Sequence, residues 1–349
     1  MSTPEVFVTN FNKNFTGVSA TASNVLGVQR KDMNVALVGH ALPSCDAPLS
    51  KKQALRLSKV APAGKPFSIW HVRRNPEMRL AIWARDILRL PIKIVFTSAA
   101  IRRHSAYPRW LISKMDAVIA TSKEAASFVP NVWAVANHGV DCVRFQPAKN
   151  KQAEWASLGY GGARGIACVG RVRPEKGTDI FVDAMIACLP NLPNTVALVV
   201  GQAQSKHAGF LAELKAKVAQ ADLADRIVFT GEVGADKMPA LMRAISLLVA
   251  LPRYEGFGMT PLEAMACGAS FVASDTGYFR AFSNDESFGT IVPLEAADAA
   301  ASAVTDWLAD DDKLTGMATD IALFVQQNYS VDKEAAIIGQ VYDRLYCDR

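Results

Sequence analysis

The sequence has no run approaching 18 uncharged apolar residues, so a membrane-spanning helix is not expected. Met1 to Asn14 contains no basic stretch followed by an apolar run, and the strand-like Val6-Phe7-Val8 comes almost at once. That pattern predicts no secretory signal, and the expected compartment is the cytoplasm. None of the six cysteines (Cys45, Cys142, Cys168, Cys188, Cys267 and Cys347) lies in a C-x-x-C pair, and no histidine cluster accompanies them. Free, mostly buried thiols are expected, and no zinc site. No G-x-G-x-x-G follows the first strand, which disfavours a plain dinucleotide-binding protein. No aromatic-interleaved basic stripe is present, so nucleic acid is a poor partner. Solenoid repeats are also missing.

What is present is a globular chain of 349 residues, 50% hydrophobic and 20% charged, with mean hydropathy +0.11. Its length favours two domains, and its composition excludes disorder. The net charge of +5 hides an asymmetry. Residues 1–150 hold 21 Lys and Arg against 8 Asp and Glu, a net +13, and residues 151–349 hold 17 against 25, a net −8. A basic half suits an anionic partner, either an anionic acceptor or the inner-leaflet membrane surface, with a peripheral place on the inner face of the inner membrane.

Short, continuous apolar runs alternate with helical patterns. Strands are expected at Val6–Val8, Val35–Val38, Ser68–Trp70, Ile94–Phe96, Ala117–Ala120 and Trp133–Val135, then at Gly165–Val169, Val196–Val200, Ile227–Phe229, Leu247–Ala250, Ser270–Ala273 and Thr290–Val292. Continuous rather than alternating runs suit strands buried on both faces of a parallel sheet. Asn137 to Gly165, rich in Gly, Lys and Asn, reads as a linker between two doubly wound α/β halves. The expected domains are 1–148 and 149–329, with a final helix of about 330–349 returning to the first.

Two motifs carry chemistry. Pro252 to Asp275 reads P-R-Y-E-G-F-G-M-T-P-L-E-A-M-A-C-G-A-S-F-V-A-S-D. Gly256 and Gly258 permit a tight loop, and Pro261 suits the first turn of a helix beginning near Thr260. Unpaired N–H groups and a positive dipole end at such a start suit a phosphate. Glu255 on the loop and Glu263 one turn inside the helix can address different parts of one ligand. The second motif is Val169-Gly170-Arg171-Val172-Arg173-Pro174-Glu175-Lys176-Gly177. Arg171 and Lys176 at a strand–loop–helix junction can neutralise a diphosphate, Arg as a fork and Lys as a point charge.

These motifs, their order and their spacing resemble the family-four nucleotide-sugar glycosyltransferases of GT-B fold. His138-Gly139-Val140-Asp141, followed by Phe145-Gln146-Pro147, is similar to that family's crossover segment. The resemblance implies a deep cleft between two Rossmann-like domains. It implies that Arg171 and Lys176 hold the donor diphosphate, that Glu255 contacts the donor sugar and that Glu263 binds the ribose hydroxyls. It further implies that the backbone of Phe257, Gly258, Met259 and Thr260 cradles sugar and phosphates, that Gly170 and Gly256 belong to the donor-binding set, and that Glu232 and Val233 line the base. Gly17, in Asn14-Phe15-Thr16-Gly17-Val18, matches the glycine loop after the first strand, although Thr16 stands where the family has another glycine. The family retains anomeric configuration. No metal and no cofactor beyond the nucleotide sugar is expected, because cations of the protein take the metal's place.

The segment Ile94 to Ser105 most resembles lipopolysaccharide-core mannosyltransferases. That implies transfer of mannose from GDP-mannose to an inner-core acidic sugar of Kdo type, on a glycolipid at the inner leaflet. Thr97-Ser98 stands where many members carry a histidine, so His71 and His104 are the candidate imidazoles. With Arg73, Arg74, Arg102 and Arg103 they form the expected acceptor-binding set. A UDP-sugar donor on another envelope glycan, or a catalytically silent nucleotide-sugar-binding subunit, are the alternatives.

Overall fold

The computed structural model describes residues 2–14, 16–43 and 45–348. They divide into two compact units, Met1–Asp141 with Tyr329–Arg349, and Cys142–Asn328.

The first unit holds strands β1 (Val6–Asn10), β2 (Val35–Gly39), β3 (Ser68–Val72), β4 (Ile92–Ser98), β5 (Ala117–Ala120) and β6 (Val132–Val135). They pair in parallel in the order β2-β1-β3-β4-β5-β6. Helices α1 (Gly17–Gln29), α2 (Lys51–Leu57), α3 (Asn75–Ile82), α4 (Ala106–Ile112) and α5 (Lys123–Ala126) make the crossovers, and a π turn (Trp83–Ile87) continues α3. Successive strand side chains point to opposite faces. Val6, Val8, Ile69 and Val95 therefore join one core, while Phe7, Trp70, Ile94 and Phe96 join another. The first core is completed by a C-terminal helix (Val331–Cys347), whose Val331, Ala335, Ile338, Tyr342 and Leu345 recur at helical spacing. This double burial is why the strands read as unbroken apolar runs.

The second unit holds β7 (Arg164–Val169), β8 (Thr195–Val200), β9 (Ile227–Gly231), β10 (Leu247–Ala250), β11 (Ser270–Ser274) and β12 (Gly289–Val292). Its parallel order is β12-β11-β10-β7-β8-β9. Its helices are α6 (Lys151–Leu158), α7 (Thr178–Cys188), α8 (Ala208–Gln220), α9 (Met238–Ala244), α10 (Met259–Ala266), α11 (Phe279–Phe282), α12 (Ala297–Leu308) and α13 (Asp311–Tyr329). The chain reverses its direction across the sheet between β7 and β10. In an open α/β sheet the loops leaving the carboxyl ends at that reversal diverge and open a crevice for ligand. Both sequence motifs leave from there.

The stretch 137–165 is not only a linker. Asn150 caps α6 by accepting from the Ala153 N–H at 2.9 Å, and Gly159 ends it in the left-handed region. Trp155 is buried there against Gly165 of β7, where a Cβ would meet the indole at 2.0 Å. Burying one such ring is worth about 2–3 kcal/mol, which fixes a helix that its own polar sequence scarcely specifies. Among the described residues the cysteines are free, as expected. Burial pushes the Cys168 thiol up to about 12, so it is inert at neutral pH.

Candidate active site

In the second unit the loop after β7 runs from Gly170 to Gly177. Gly170 has φ +155° and Gly177 φ +64°, and a Cβ on Gly177 would stand 1.7 Å from the Leu251 carbonyl. Only glycine lets this loop lie against the end of β10. A short turn, Pro174–Lys176, then delivers Lys176 just ahead of α7.

Lys176 Nζ meets Glu255 Oε2 at 2.5 Å, and Glu255 Oε1 accepts from the Gly256 N–H at 3.0 Å. The two glutamate oxygens thus join the loops after β7 and β10. Arg253 joins them a second time. Its guanidinium donates to both Asp179 oxygens (2.9 and 2.8 Å) and to both Glu295 oxygens, while its own N–H donates to the Glu175 carbonyl at 3.1 Å. The Asp179 and Glu295 hydrogen bonds raise the Arg253 pKa, so its charge is permanent. Asp179 and Glu295 come from α7 and from the turn after β12. No local sequence pattern announces that three-way meeting.

Arg171 is exposed and makes no ion pair among the described residues. It lines a pocket of about 320 Å³ with Gly170, Gly201, Gln202, Glu232 and Val233. This brings Arg171 and Gly170 beside the residues expected at the base, while Lys176 lies outside the lining. Gly258, at φ +93°, precedes α10, and a Cβ there would lie 2.1 Å from the Phe279 ring. Phe257 is buried and stacks on Tyr278 with centroids 5.3 Å apart, which fixes the loop from beneath. The helix starts at Met259, one residue earlier than expected. Glu263 lies in its second turn with no hydrogen bond or ion pair among the described residues. Burial pushes its carboxyl up to about 7, and the Arg144 charge opposes this. A half-buried acceptor without a donor is a place where ligand hydroxyls fit.

Among the described residues no group of three or more His, Cys, Asp or Glu is placed to hold a metal ion.

In the first unit two expected acceptor contacts are corrected. His71 is fully buried, its Nδ1 2.5 Å from the Tyr342 hydroxyl and its Nε2 2.7 Å from Thr97 Oγ1. Burial, then the Arg73 charge, holds its pKa well below the ordinary value. A neutral ring with both nitrogens occupied has nothing left for an acceptor. Arg74 is likewise consumed: its fork donates to Asn10, Glu77, Thr16 and Ser19 at 3.1 to 3.3 Å. Buried Glu77 also accepts from Thr9 and from the backbone N–H groups of Phe11, Arg73 and Arg74. The pair shapes the loops after β1 and β3, and so sets the approach to Gly17. Gly17 is exposed, with no atom within 4 Å of where its Cβ would be. Phe15 lies outside the described residues.

Arg73 differs from Arg74. Its Nη1 is buried without a partner, as are Ser98 Oγ and Asn137 Oδ1. These three residues follow or end β3, β4 and β6, all at the carboxyl edge of one sheet. Burial lowers the Arg73 pKa, while Tyr342, Glu77 and Glu334 oppose the shift. Arg102 and Arg103 are exposed beyond β4. Half-buried His104 has an unpartnered Nε2 and a pKa lowered by burial and by Arg102. His138 and the Gly139 N–H both bind buried Glu334, at 3.0 and 2.8 Å, which fixes the start of the crossover segment within the first unit.

Residues 151–321 match the family model described as "Glycosyl transferases group 1". The lipopolysaccharide core biosynthesis mannosyltransferase LpsB of Rhizobium meliloti (strain 1021) is 41% identical over 98% of this chain and 97% of its own. LpcC of Rhizobium leguminosarum bv. viciae, described by the same activity, is 39% identical over 99% and 97%. Among solved structures, a glycosyltransferase from Rickettsia africae ESF-5 aligns with a TM-score of 0.80 at 16% identity, covering 99% of both chains. At that identity the likeness speaks for the fold alone.

Proposed function

Because the chain belongs to the group 1 glycosyl transferases, with near full-length relatives in lipopolysaccharide core biosynthesis, we propose that it moves mannose from GDP-mannose onto an inner-core glycolipid with retention of configuration. The observation that carries the donor half is the Lys176–Glu255 contact at the reversal point of the second sheet, with Arg171 in the same loop as Lys176. Arg171 and Lys176 take the diphosphate. Glu255 takes a sugar hydroxyl, and the N–H groups from Gly256 to Thr260 cradle the sugar and phosphates. Glu232 and Val233 line the base, and Glu263 accepts from the ribose hydroxyls. Gly17, the first residue of α1, is assigned to the donor-binding set.

In a front-face reaction the bond from the anomeric carbon to the phosphate oxygen breaks as the acceptor oxygen arrives on the same face, and the leaving phosphate takes the acceptor proton. The protein's task is then to stabilise charge building on the leaving diphosphate. Two cations suffice for that without a metal. Arg73, with Ser98 and Asn137, supplies the buried part of the acceptor site, and Arg102, Arg103 and His104 supply its exposed part. An acidic sugar of Kdo type complements them. The reaction takes place on the cytoplasmic side, where nucleotide sugars are made.

The test is transfer from labelled GDP-mannose to a Kdo-bearing glycolipid, with the product anomer read by NMR. A parallel thermal-shift series with GDP, UDP and ADP identifies the base. A nucleotide at 100 times its Kd stabilises by about 2.7 kcal/mol. Transfer from a UDP-sugar alone would replace the donor assignment, and nucleotide binding without transfer to any acceptor would mark a silent subunit.

A further inference from the structure

Between α3 with its π turn and α4, the first unit carries a groove of about 790 Å³ lined by Leu80, Trp83, Ile87, Tyr107 and Trp110, with Arg79 at its wall. The side chains that line it stand in the open: Trp83 is 43% exposed, Ile87 68% and Trp110 52%. Leu88 beside them is also exposed. Tyr107 and Trp110 lie three apart on one face of α4, their rings stacked at 6.2 Å. A contiguous exposed patch of large apolar groups marks an interaction surface.

The charges around it identify the partner. In residues 73–116 every acid is already paired: Glu77 with Arg74, Asp86 with Arg85, and Asp116 with Arg85 and Lys93. Exposed Arg79, Arg89, Arg109 and Lys114 make no ion pair among the described residues. The groove is therefore flanked by unpaired charge of one sign. A protein partner here would need a matching acidic patch. Trp and Tyr beside unpaired Arg and Lys are instead the composition of a membrane interface, where rings sit at headgroup depth and cations meet lipid phosphates.

We propose that this face docks the protein on a lipid bilayer bearing anionic headgroups, with Trp83, Ile87, Tyr107 and Trp110 entering the boundary between headgroups and acyl chains. The inference goes beyond the transfer reaction, because docking needs neither donor nor glycolipid acceptor.

The test uses the full chain and vesicles of phosphatidylcholine with or without phosphatidylglycerol, no substrate being present. Binding is read by co-sedimentation and by the blue shift of tryptophan emission. We expect binding only to the anionic vesicles. The double variant Trp83→Ser, Trp110→Ser weakens it about tenfold, as expected for losing two inserted rings. Arg89→Gln and Arg109→Gln each weaken it about fivefold, with a shallower salt dependence. All four side chains are exposed, so far-UV circular dichroism and nucleotide-induced thermal shifts stay as in the wild type. No binding to anionic vesicles, or equal binding by the double variant, overturns the proposal. If vesicles bind but mannose transfer fails, the transfer reading alone falls. If transfer holds but vesicles do not bind, the docking inference alone falls.

Discussion

Lys176 Nζ stands 2.5 Å from Glu255 Oε2, and these two residues leave neighbouring strands at the point where the second sheet reverses. Each neutralises the other. Under the proposed function a donor diphosphate would compete for the ammonium and release the carboxylate toward the sugar. One contact would then order both groups before binding and divide them between the two ends of the ligand afterwards.

Breaking that contact separates stability from rate. The pair is partly exposed, so its loss costs within about 1 kcal/mol of folding stability. Loss of a cation facing the leaving group costs on the order of a hundred- to a thousandfold in kcat. Lys176→Ala and Arg171→Ala are therefore expected to melt near the wild-type temperature yet turn over at a hundredth of its rate or less. Single-turnover transfer beside calorimetry checks both. Wild-type kcat in either variant would remove the diphosphate role.

Glu263 makes stability and affinity move in opposite directions. Its carboxyl titrates near 7 in the fold against an ordinary 4.5. Between those pH values the unfolded chain has released the proton while the folded one keeps it, so ligand-free stability falls as pH rises through this window. The full effect is on the order of 3 kcal/mol, reached above pH 7 or so. Glu263→Gln is expected to be more stable than wild type at pH 8, to show no such slope, and to bind the nucleotide more weakly. Denaturant melts across pH 4–8, with nucleotide titration, test this.

Much of this was legible in the sequence because parallel strands buried on both faces leave continuous apolar runs, and the described strands fall on such runs. The glycine before α10 was legible for a related reason: Gly258 sits where a Cβ has no room. Helix α6 was not legible, because what fixes it is the distant contact of Trp155 with Gly165. The fates of Arg73 and Arg74 were not legible either. Adjacent arginines look alike in a sequence, and only the fold shows that Glu77 and three polar side chains consume one fork and leave an Nη of the other unpaired. His71 was misleading for a similar reason, since its partner Tyr342 lies 271 residues away.

Arg253 holds the loops after β7 and β10 by a double fork, and geometry rather than charge makes that possible. Arg253→Lys keeps the charge but cannot bridge Asp179 and Glu295 together. We expect kcat to fall about tenfold or more, since misplacing the loops by about 1 Å can cost a hundredfold. Faster amide exchange at residues 174–177, with the rest of the unit unchanged, would mark the loosened loop. Wild-type kcat together with wild-type exchange would show that the fork is dispensable.

His71 gives the fold an acid-side weakness. Its pKa is depressed, so below about 6.5 the unfolded chain takes up a proton that the folded chain refuses. Stability contributed by the neutral ring is complete above that value and is lost as the pH falls toward the folded pKa. His71→Gln should flatten the stability profile between pH 6.5 and 5, even though it lowers stability at pH 7.5. An unchanged acid slope would mean that another group carries it.

The last prediction separates buried from exposed arginine in acceptor binding. Arg73 Nη1 is buried and unpartnered beside the carboxyl edge of the first sheet, whereas Arg102 and Arg103 are exposed. A charge-assisted hydrogen bond from a buried guanidinium to an acceptor carboxylate is worth about 1.5–3 kcal/mol. An exposed one is worth within about 1 kcal/mol and is screened by salt over about 10 Å at 0.1 M. Arg73→Gln is therefore expected to raise acceptor KM by about ten- to a hundredfold at any ionic strength. The double variant Arg102→Gln, Arg103→Gln should raise it only a few-fold, and only at low salt. Donor KM serves as the internal control, since the groups expected to bind the nucleotide, Gly17 apart, belong to the second unit. Kinetics with a Kdo-bearing acceptor and its carboxyl-reduced analogue complete the test. If the carboxylate is what Arg73 meets, the analogue should bind poorly to the wild type and lose nothing further in Arg73→Gln. Equal losses with both acceptors would assign Arg73 to shaping the loop after β3, as Arg74 does, and would leave the acidic-sugar reading without its buried partner.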